Sequence, residues 1–421
     1  MAWLQAGSLK KSRILTALML VYAIVSAIAT AMDGGDFDVY LDASGKLSEL
    51  KNIYSAPFIK GLQYYYSPFF AWLLIPVARH VFMTEVVFVI ISYLFLYRSF
   101  QLMRNYYDFS KMPVVAQNTW AAVVLFFSIQ FILYNVSMIQ ITFFLLWSIL
   151  EALRLIESRR PLLSGALLGL AINIKLMPLL ILPYLFYRGH FTVIFSMLLS
   201  FVFLLFVPAL GIGFDFNMFL LSEWWSVINP VNKEHMFETG IGTHSVVALI
   251  PVFLTDTVGE IPVTRNFINL PHSLVEMITN LVRLFLLGLS LLFLRSWPFR
   301  SETNPVKRIW EISYFLLLIP LLMPHQQKYN FIFVIPMIAY LWYYHRVKFS
   351  SARNMVRQGS FIVFILAVAV FSPLYGSDVI GKKMFLLTQH FRLMTICTIL
   401  LIPLSLICHP CKLNTLHKQD P

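Results

Sequence analysis

Phe191–Leu210 reads FTVIFSMLLSFVFLLFVPAL, without one charged side chain. Wound as a helix at about 1.5 Å per residue, it spans about 30 Å, the depth of a bilayer's hydrocarbon core. A helix satisfies its own backbone hydrogen bonds in lipid, which an open strand does not. Similar runs recur at Ile14–Met32, Pro68–Tyr97, Pro113–Leu133, Met138–Leu155, Leu162–Ile174, Leu176–Tyr187, Leu274–Leu294, Ile309–Met323, Phe331–Tyr344, Ser360–Pro373 and Phe391–Ile407. The alternating ten-residue segments of a barrel are absent. The expected fold is an all-α polytopic membrane protein of about 12 transmembrane helices, with residues 1–421 forming one integral membrane domain.

Composition agrees. Of 421 residues, 59% are apolar and 12% charged, about half the charged fraction of a soluble domain. The net charge of +12 does not point to nucleic acid, because the bases sit in short clusters between apolar runs. There they set topology and meet anionic headgroups. Lys10/Lys11/Arg13, Arg98/Arg104/Lys111, Arg154/Arg159/Arg160, Arg188, Arg295/Arg300/Lys307/Arg308 and Arg346/Lys348/Arg353/Arg357 are all expected in the cytoplasm. That requires Leu162–Tyr187 to be a hairpin of two short helices, and it puts both termini inside. Lys382 and Lys383 then fall outside, against the bias. The N-terminal basic start and apolar run, with no small-residue cleavage site after it, read as a retained first helix.

This topology leaves two long external loops, 33–67 and 211–273. The first carries Asp33, Asp36, Asp38, Asp42 and Glu49, an acidic concentration in an acid-poor chain, and the aromatic run Tyr64-Tyr65-Tyr66. A carboxylate at the end of a membrane helix is placed to take a proton from an attacking hydroxyl, or simply to cap the helix. Lys175 interrupts Ala171-Ile172-Asn173-Ile174-Lys175-Leu176-Met177-Pro178. At the hairpin tip it either holds a phosphate as a point charge or snorkels to the headgroups. The turn Pro324-His325-Gln326-Gln327-Lys328 brings His325, Gln326 and Lys328 to the same side. These side chains suit phosphate binding or protonation of a leaving group, or an ordinary polar turn. His244 is a further candidate in the second loop. Gln140, in an apolar run, is suited to bond a neighbouring helix.

Cysteines number three, all near the C-terminus, so no disulfide framework exists. Cys408-His409-Pro410-Cys411, with His417, is half of a zinc pattern, and a membrane-end cysteine pair is the plainer reading. No metal site is expected. Neither a Walker A loop, a Rossmann glycine pattern nor a Gly-x-Ser-x-Gly elbow occurs, so activation must arrive with the substrate.

Asp36-Phe37-Asp38-Val39-Tyr40, then Ile53-Tyr54 and Tyr66-Ser67-Pro68-Phe69-Phe70 with Pro76, resemble the first external loop of glycosyltransferase family 87. Gln140, Gly165 to Gly169 and Ile174-Lys175-Leu176-Met177-Pro178 are similar to its middle signature, and the His325 turn to its external His turn. Ser67 replaces a family Pro, the Ser-Trp before the His is missing, and the second loop offers Thr243-His244-Ser245 where Asn-Gln-Ser is usual. The resemblance implies a GT-C fold and transfer of a hexose, typically mannose, from a polyprenyl-phosphate donor to a lipid or glycan acceptor. It implies inversion, Asp36 as general base, and Lys175, His325, Lys328, Gln326, His244, Tyr40 and Asp38 around the substrates. It further implies no metal or other cofactor, and a site on the outer side of the inner membrane.

A transporter or flippase is the rival class. It requires ionisable groups near the midplane and two similar halves, and neither is visible in the chain. A polysaccharide ligase or polymerase relies on Arg and His in a large external loop, and here the second loop offers Arg265, His235, His244 and His272.

Overall fold

The computed structural model describes residues 20–229, 237–240, 242–348 and 355–413. Lys10, Lys11, Arg13, His235, Arg353 and His417 lie outside them. Among the described residues the secondary structure is helical, with no strand. Val81–Arg104, Phe191–Ile212 and His272–Leu294 are each long and apolar enough to cross a membrane. Counting each of three bent pairs as one span brings the number up to six: Leu20–Asp33 with Phe37–Ser48, Val114–Phe126 with Ile129–Ser137, and Lys382–His390 with Leu393–Ile407.

The dozen spans expected from hydropathy are therefore not a dozen long straight helices, and proline explains several of the breaks. Pro68–Tyr97 is divided. Pro68–Leu74 passes into a 3-10 turn at Ile75–Val77 containing Pro76, and a new helix starts at Val81. Proline lacks the N–H that would continue the ladder. Leu176–Tyr187 likewise begins as the 3-10 segment Met177–Ile181, with Pro178 inside it, and ends as Leu182–Tyr187.

Burial sorts the helices into a centre and a lipid-facing rim. Pro305–Leu322 is buried from Ile309 to Leu322, and Ile335–Lys348 from Ile335 to His345. On the rim, Phe195, Leu199 and Phe203 of Phe191–Ile212, and Leu281, Leu284 and Phe285 of His272–Leu294, are exposed. Apolar faces of that extent mark an interaction surface, and lipid is the partner that suits them. Pro161–Ile174 packs on Phe191–Phe206 through its small residues. A Cβ on Gly165 would stand 2.4 Å from Val193 O, and one on Gly169 2.6 Å from Met197 O. The spacing of four puts both glycines on one face, so two backbones meet directly.

Several helices run between the same two ends of the molecule. Thr142–Glu157 starts beside Gln140 and finishes at Glu157, which pairs with Arg308. Pro305–Leu322 carries Arg308 and Glu311 near its start and leads into the His325 turn. At the basic end, Arg188 Nε donates to Glu311 Oε2 at 3.0 Å and Arg188 Nη1 to Arg300 O at 3.2 Å. Arg98 lies 3.6 Å from Glu151. Arg160 and Arg188, which close Pro161–Tyr187 on either side, both lie at this end, while Lys175 stands between the arms beside Asp36. The segment is thus a hairpin. Its 14-residue first arm rises about 21 Å, short of the ~30 Å hydrocarbon depth.

Candidate active site

Asp36 stands in the turn just past the end of Leu20–Asp33, where the chain bends by 62° into Phe37–Ser48. Gly35 makes this turn fit. A Cβ there would lie 2.8 Å from Met138 O, so only glycine lets the two backbones approach and the Asp36 N–H donate to Met138 O at 3.1 Å. The facing turn is itself strained, with Ile139 at φ +47°, a region that β-branched residues rarely enter. These turns hold Asp36 against Gln140, whose Nε2 donates to Asp36 Oδ2 at 2.7 Å.

Gln140 is oriented in turn from behind. Its Oε1 accepts from Tyr40 OH at 3.2 Å and from Tyr66 OH at 3.5 Å, and the two hydroxyls are 2.5 Å apart. Its amide nitrogen is thereby fixed toward the carboxylate. Burial raises the Asp36 carboxyl above the ordinary carboxylate range, while Lys175, Lys60 and the Gln140 hydrogen bond pull it back down. A carboxylate raised in this way is a stronger proton acceptor.

Lys175 follows Pro161–Ile174 in extended backbone, φ −147° and ψ 129°. Its Nζ lies over two aromatic faces, 5.4 Å from the Tyr66 ring centre and 5.2 Å from that of Tyr329. Among the described residues the ammonium has no hydrogen-bonded or ion-paired partner, and Asp36 acts on it through space. The cage holds the cation without neutralising it. Tyr329 is fixed by stacking on Tyr134, with ring centres 6.0 Å apart, and by Asn135 Nδ2 donating to its carbonyl at 2.6 Å.

A second polar centre adjoins the first. The His325 backbone has φ +55° and its N–H donates to Glu238 Oε1. His325 Nδ1 lies 3.0 Å from the same oxygen. This sets the imidazole's orientation, leaves Nε2 pointing away from the carboxylate, and keeps the ring 41% exposed. Tyr65 lies against the ring, centres 5.5 Å apart, and is the chain neighbour of Tyr66. Tyr134 also donates to Gln327 Oε1 at 3.2 Å, so the two centres share one wall.

The other expected residues are placed differently. Tyr40 is fully buried behind Gln140. Gln326 is turned into its own loop, its Nε2 donating to Pro324 O at 2.6 Å. Lys328 Nζ lies 4.2 Å from the centre of the Phe385 ring. His244 is buried beneath the His325 turn, and its N–H donates to Gln326 O at 2.7 Å. Burial, with Arg392 and Lys328 nearby, pushes its imidazole down to about 3, so it stays neutral and supports the turn. Asp38 pairs with Lys60 at 2.5 Å.

Glu238, Lys60, Glu85 and Tyr329 belong to this region but were not singled out by sequence. Glu85 had a signal, as a lone carboxyl in the apolar helix Val81–Arg104. Among the described residues no group of three or more His, Cys, Asp or Glu is arranged to hold a metal ion. Cys397, Cys408 and Cys411 are free thiols.

A model of one protein family, glycosyltransferase family 87, matches residues 64–310, more than half of the chain. No curated protein and no solved structure matches. The matched stretch holds Tyr66, Gln140, Lys175 and Glu238. Asp36 and His325 lie outside it, one before and one after, and are joined to it through Gln140 and Glu238.

Proposed function

The chain belongs to glycosyltransferase family 87, and from that premise we propose that it moves a hexose, mannose first, from a polyprenyl-phosphate donor to a lipid or glycan acceptor. The helices are arranged in the GT-C manner in the inner membrane. Both termini are cytoplasmic, and the end that holds Asp36 faces outward.

One observation carries the reading: an acceptor-ready carboxylate, Asp36, shares its space with a cation, Lys175, that no described residue neutralises. In a direct displacement the acceptor oxygen forms a bond to the anomeric carbon as its proton passes to Asp36. The bond from that carbon to the phosphate oxygen breaks on the opposite face, with inversion, and the electron pair leaves with the polyprenyl phosphate. Negative charge grows on that phosphate oxygen, where a preorganised cation lowers the barrier most. Lys175 supplies it, and His325, oriented by Glu238, meets the phosphate from the neighbouring wall. Glycosyl transfer also separates this reading from a transporter.

A reconstituted assay tests it. Purified protein receives radiolabelled polyprenyl-phosphate-mannose and a membrane-lipid extract as acceptor, with Asp36→Asn beside the wild type. Label moves to the acceptor with the wild type, and about 10²–10⁴-fold more slowly with the variant, the usual contribution of a general base. Equal transfer by the variant removes Asp36 from the role of base. No transfer by either protein, with mannose or with other lipid-linked sugars, overturns the donor class.

A further inference from the structure

Glu85 lies near the start of the lipid-facing helix Val81–Arg104, between the exposed Met83 and Val87. It is 1% exposed, and its Oε1 has no hydrogen-bond partner among the described residues. A buried carboxyl oxygen without a partner is costly, so such a residue in a membrane helix marks a functional place. Its carboxyl lies within hydrogen-bonding reach of that of Asp38. Asp38 in turn bonds Lys60 Nζ at 2.5 Å, and the same nitrogen reaches Gly35 O at 3.5 Å. Three side chains from three separate segments therefore meet at the first turn of Phe37–Ser48, two residues past Asp36.

We propose that Asp38, Glu85 and Lys60 form the acceptor subsite, which takes neighbouring hydroxyls of an uncharged polyol or sugar headgroup. The assignment rests on Asp36 as the base, because the reacting hydroxyl must be held beside it. Electrostatics selects which substrate enters here. Two carboxyls beside one ammonium leave no spare positive charge for a phosphate, whereas Lys175 in its aromatic cage attracts one. Carboxyl oxygens accept from sugar hydroxyls, and an ammonium donates to the hydroxyl oxygens that remain. Lys60 is 45% exposed, so the subsite opens to the surface from which an acceptor arrives. The unpartnered Oε1 of Glu85 is the group that such a ligand satisfies.

The experiment is a two-substrate kinetic analysis of wild type, Glu85→Gln and Asp38→Asn in proteoliposomes. Radiolabelled polyprenyl-phosphate-mannose and a membrane-lipid extract are varied independently, and release of label to water without extract is measured as well. Acceptor KM rises tenfold or more in both variants and donor KM stays within twofold, while release to water without extract shows that the donor half of the site is still loaded. The unchanged donor KM also certifies folding. A raised donor KM with an unchanged acceptor KM assigns the cluster to the donor sugar and overturns the proposal. So does an unchanged pair of KM values, which makes the cluster structural. Failure of the base reading is seen separately, as full transfer by Asp36→Asn.

Discussion

Gln140 Nε2 donates to Asp36 Oδ2 at 2.7 Å, although the two residues are 104 positions apart. Because Gln140 Oε1 is occupied by Tyr40 and Tyr66, the amide cannot turn over without leaving one of the two hydroxyl protons without an acceptor. Gln140 is therefore a positioning residue for the base. Gln140→Leu keeps the volume but removes both interactions, and the expected loss in kcat is about 10–100-fold, or ~1.4–2.8 kcal/mol, with donor KM little changed. Losing the hydrogen bond also moves the Asp36 carboxyl further up, so the acid limb of the pH–rate profile shifts to higher pH. A purely structural role would leave that limb in place.

Lys175 acts on charge that appears only as the phosphate leaves. Lys175→Gln is expected to reduce kcat about 10²–10³-fold, the range for loss of one preorganised stabilising group. Donor KM rises less. Lys175→Arg restores the charge but must fit a planar guanidinium between the Tyr66 and Tyr329 rings, so it recovers part of the rate. Equal kcat for Gln and Arg variants would remove the electrostatic role, and steady-state assays with saturating acceptor decide it.

How much of this was legible in the chain depends on the range of the interaction. Lys175 was visible because an isolated ammonium in an apolar run is costly wherever the run folds, and the hairpin around it followed from the charges at its two feet. The partnership of Asp36 with Gln140 was not visible, since a lone glutamine in a span has many ways to be satisfied. Glu238 was hidden for the same reason, 87 residues from the His325 it orients. Lys382 and Lys383 opposed the charge bias, yet the helix they begin leads to Arg392. Arg392 bonds Glu260 and Gly240 O of the second long loop, each at 2.9 Å. The C-terminal bent pair thus meets the end of the molecule that bears the site.

Glu238 and His325 should behave as one unit. Their contact fixes which imidazole nitrogen faces the site, so loss of either partner loses the same orientation. His325→Gln and Glu238→Gln are each expected to lower kcat/KM about tenfold or more, and the double variant to be no worse than the weaker single one. That non-additivity is the signature of directly coupled residues. Multiplicative losses in the double variant would show that the two side chains act separately.

The last prediction uses the sign of a charge on the base. Asp36 must be ionised to take a proton, so kcat/KM rises with pH through the pKa of its carboxyl in the free enzyme. Burial sets that pKa above the ordinary carboxylate range, and Lys60, being positive, favours the ionised form and lowers it. Lys60→Gln removes the charge, the carboxyl moves up, and the ascending limb moves to higher pH. Lys60→Arg keeps the charge and leaves the limb near its wild-type position. The readout is the pH of half-maximal kcat/KM, not its height, since Lys60 also contacts Asp38 and its loss lowers the plateau. A limb that moves down, or that stays fixed while Asp36→Asn abolishes transfer, would mean that the titrating base is a different carboxylate.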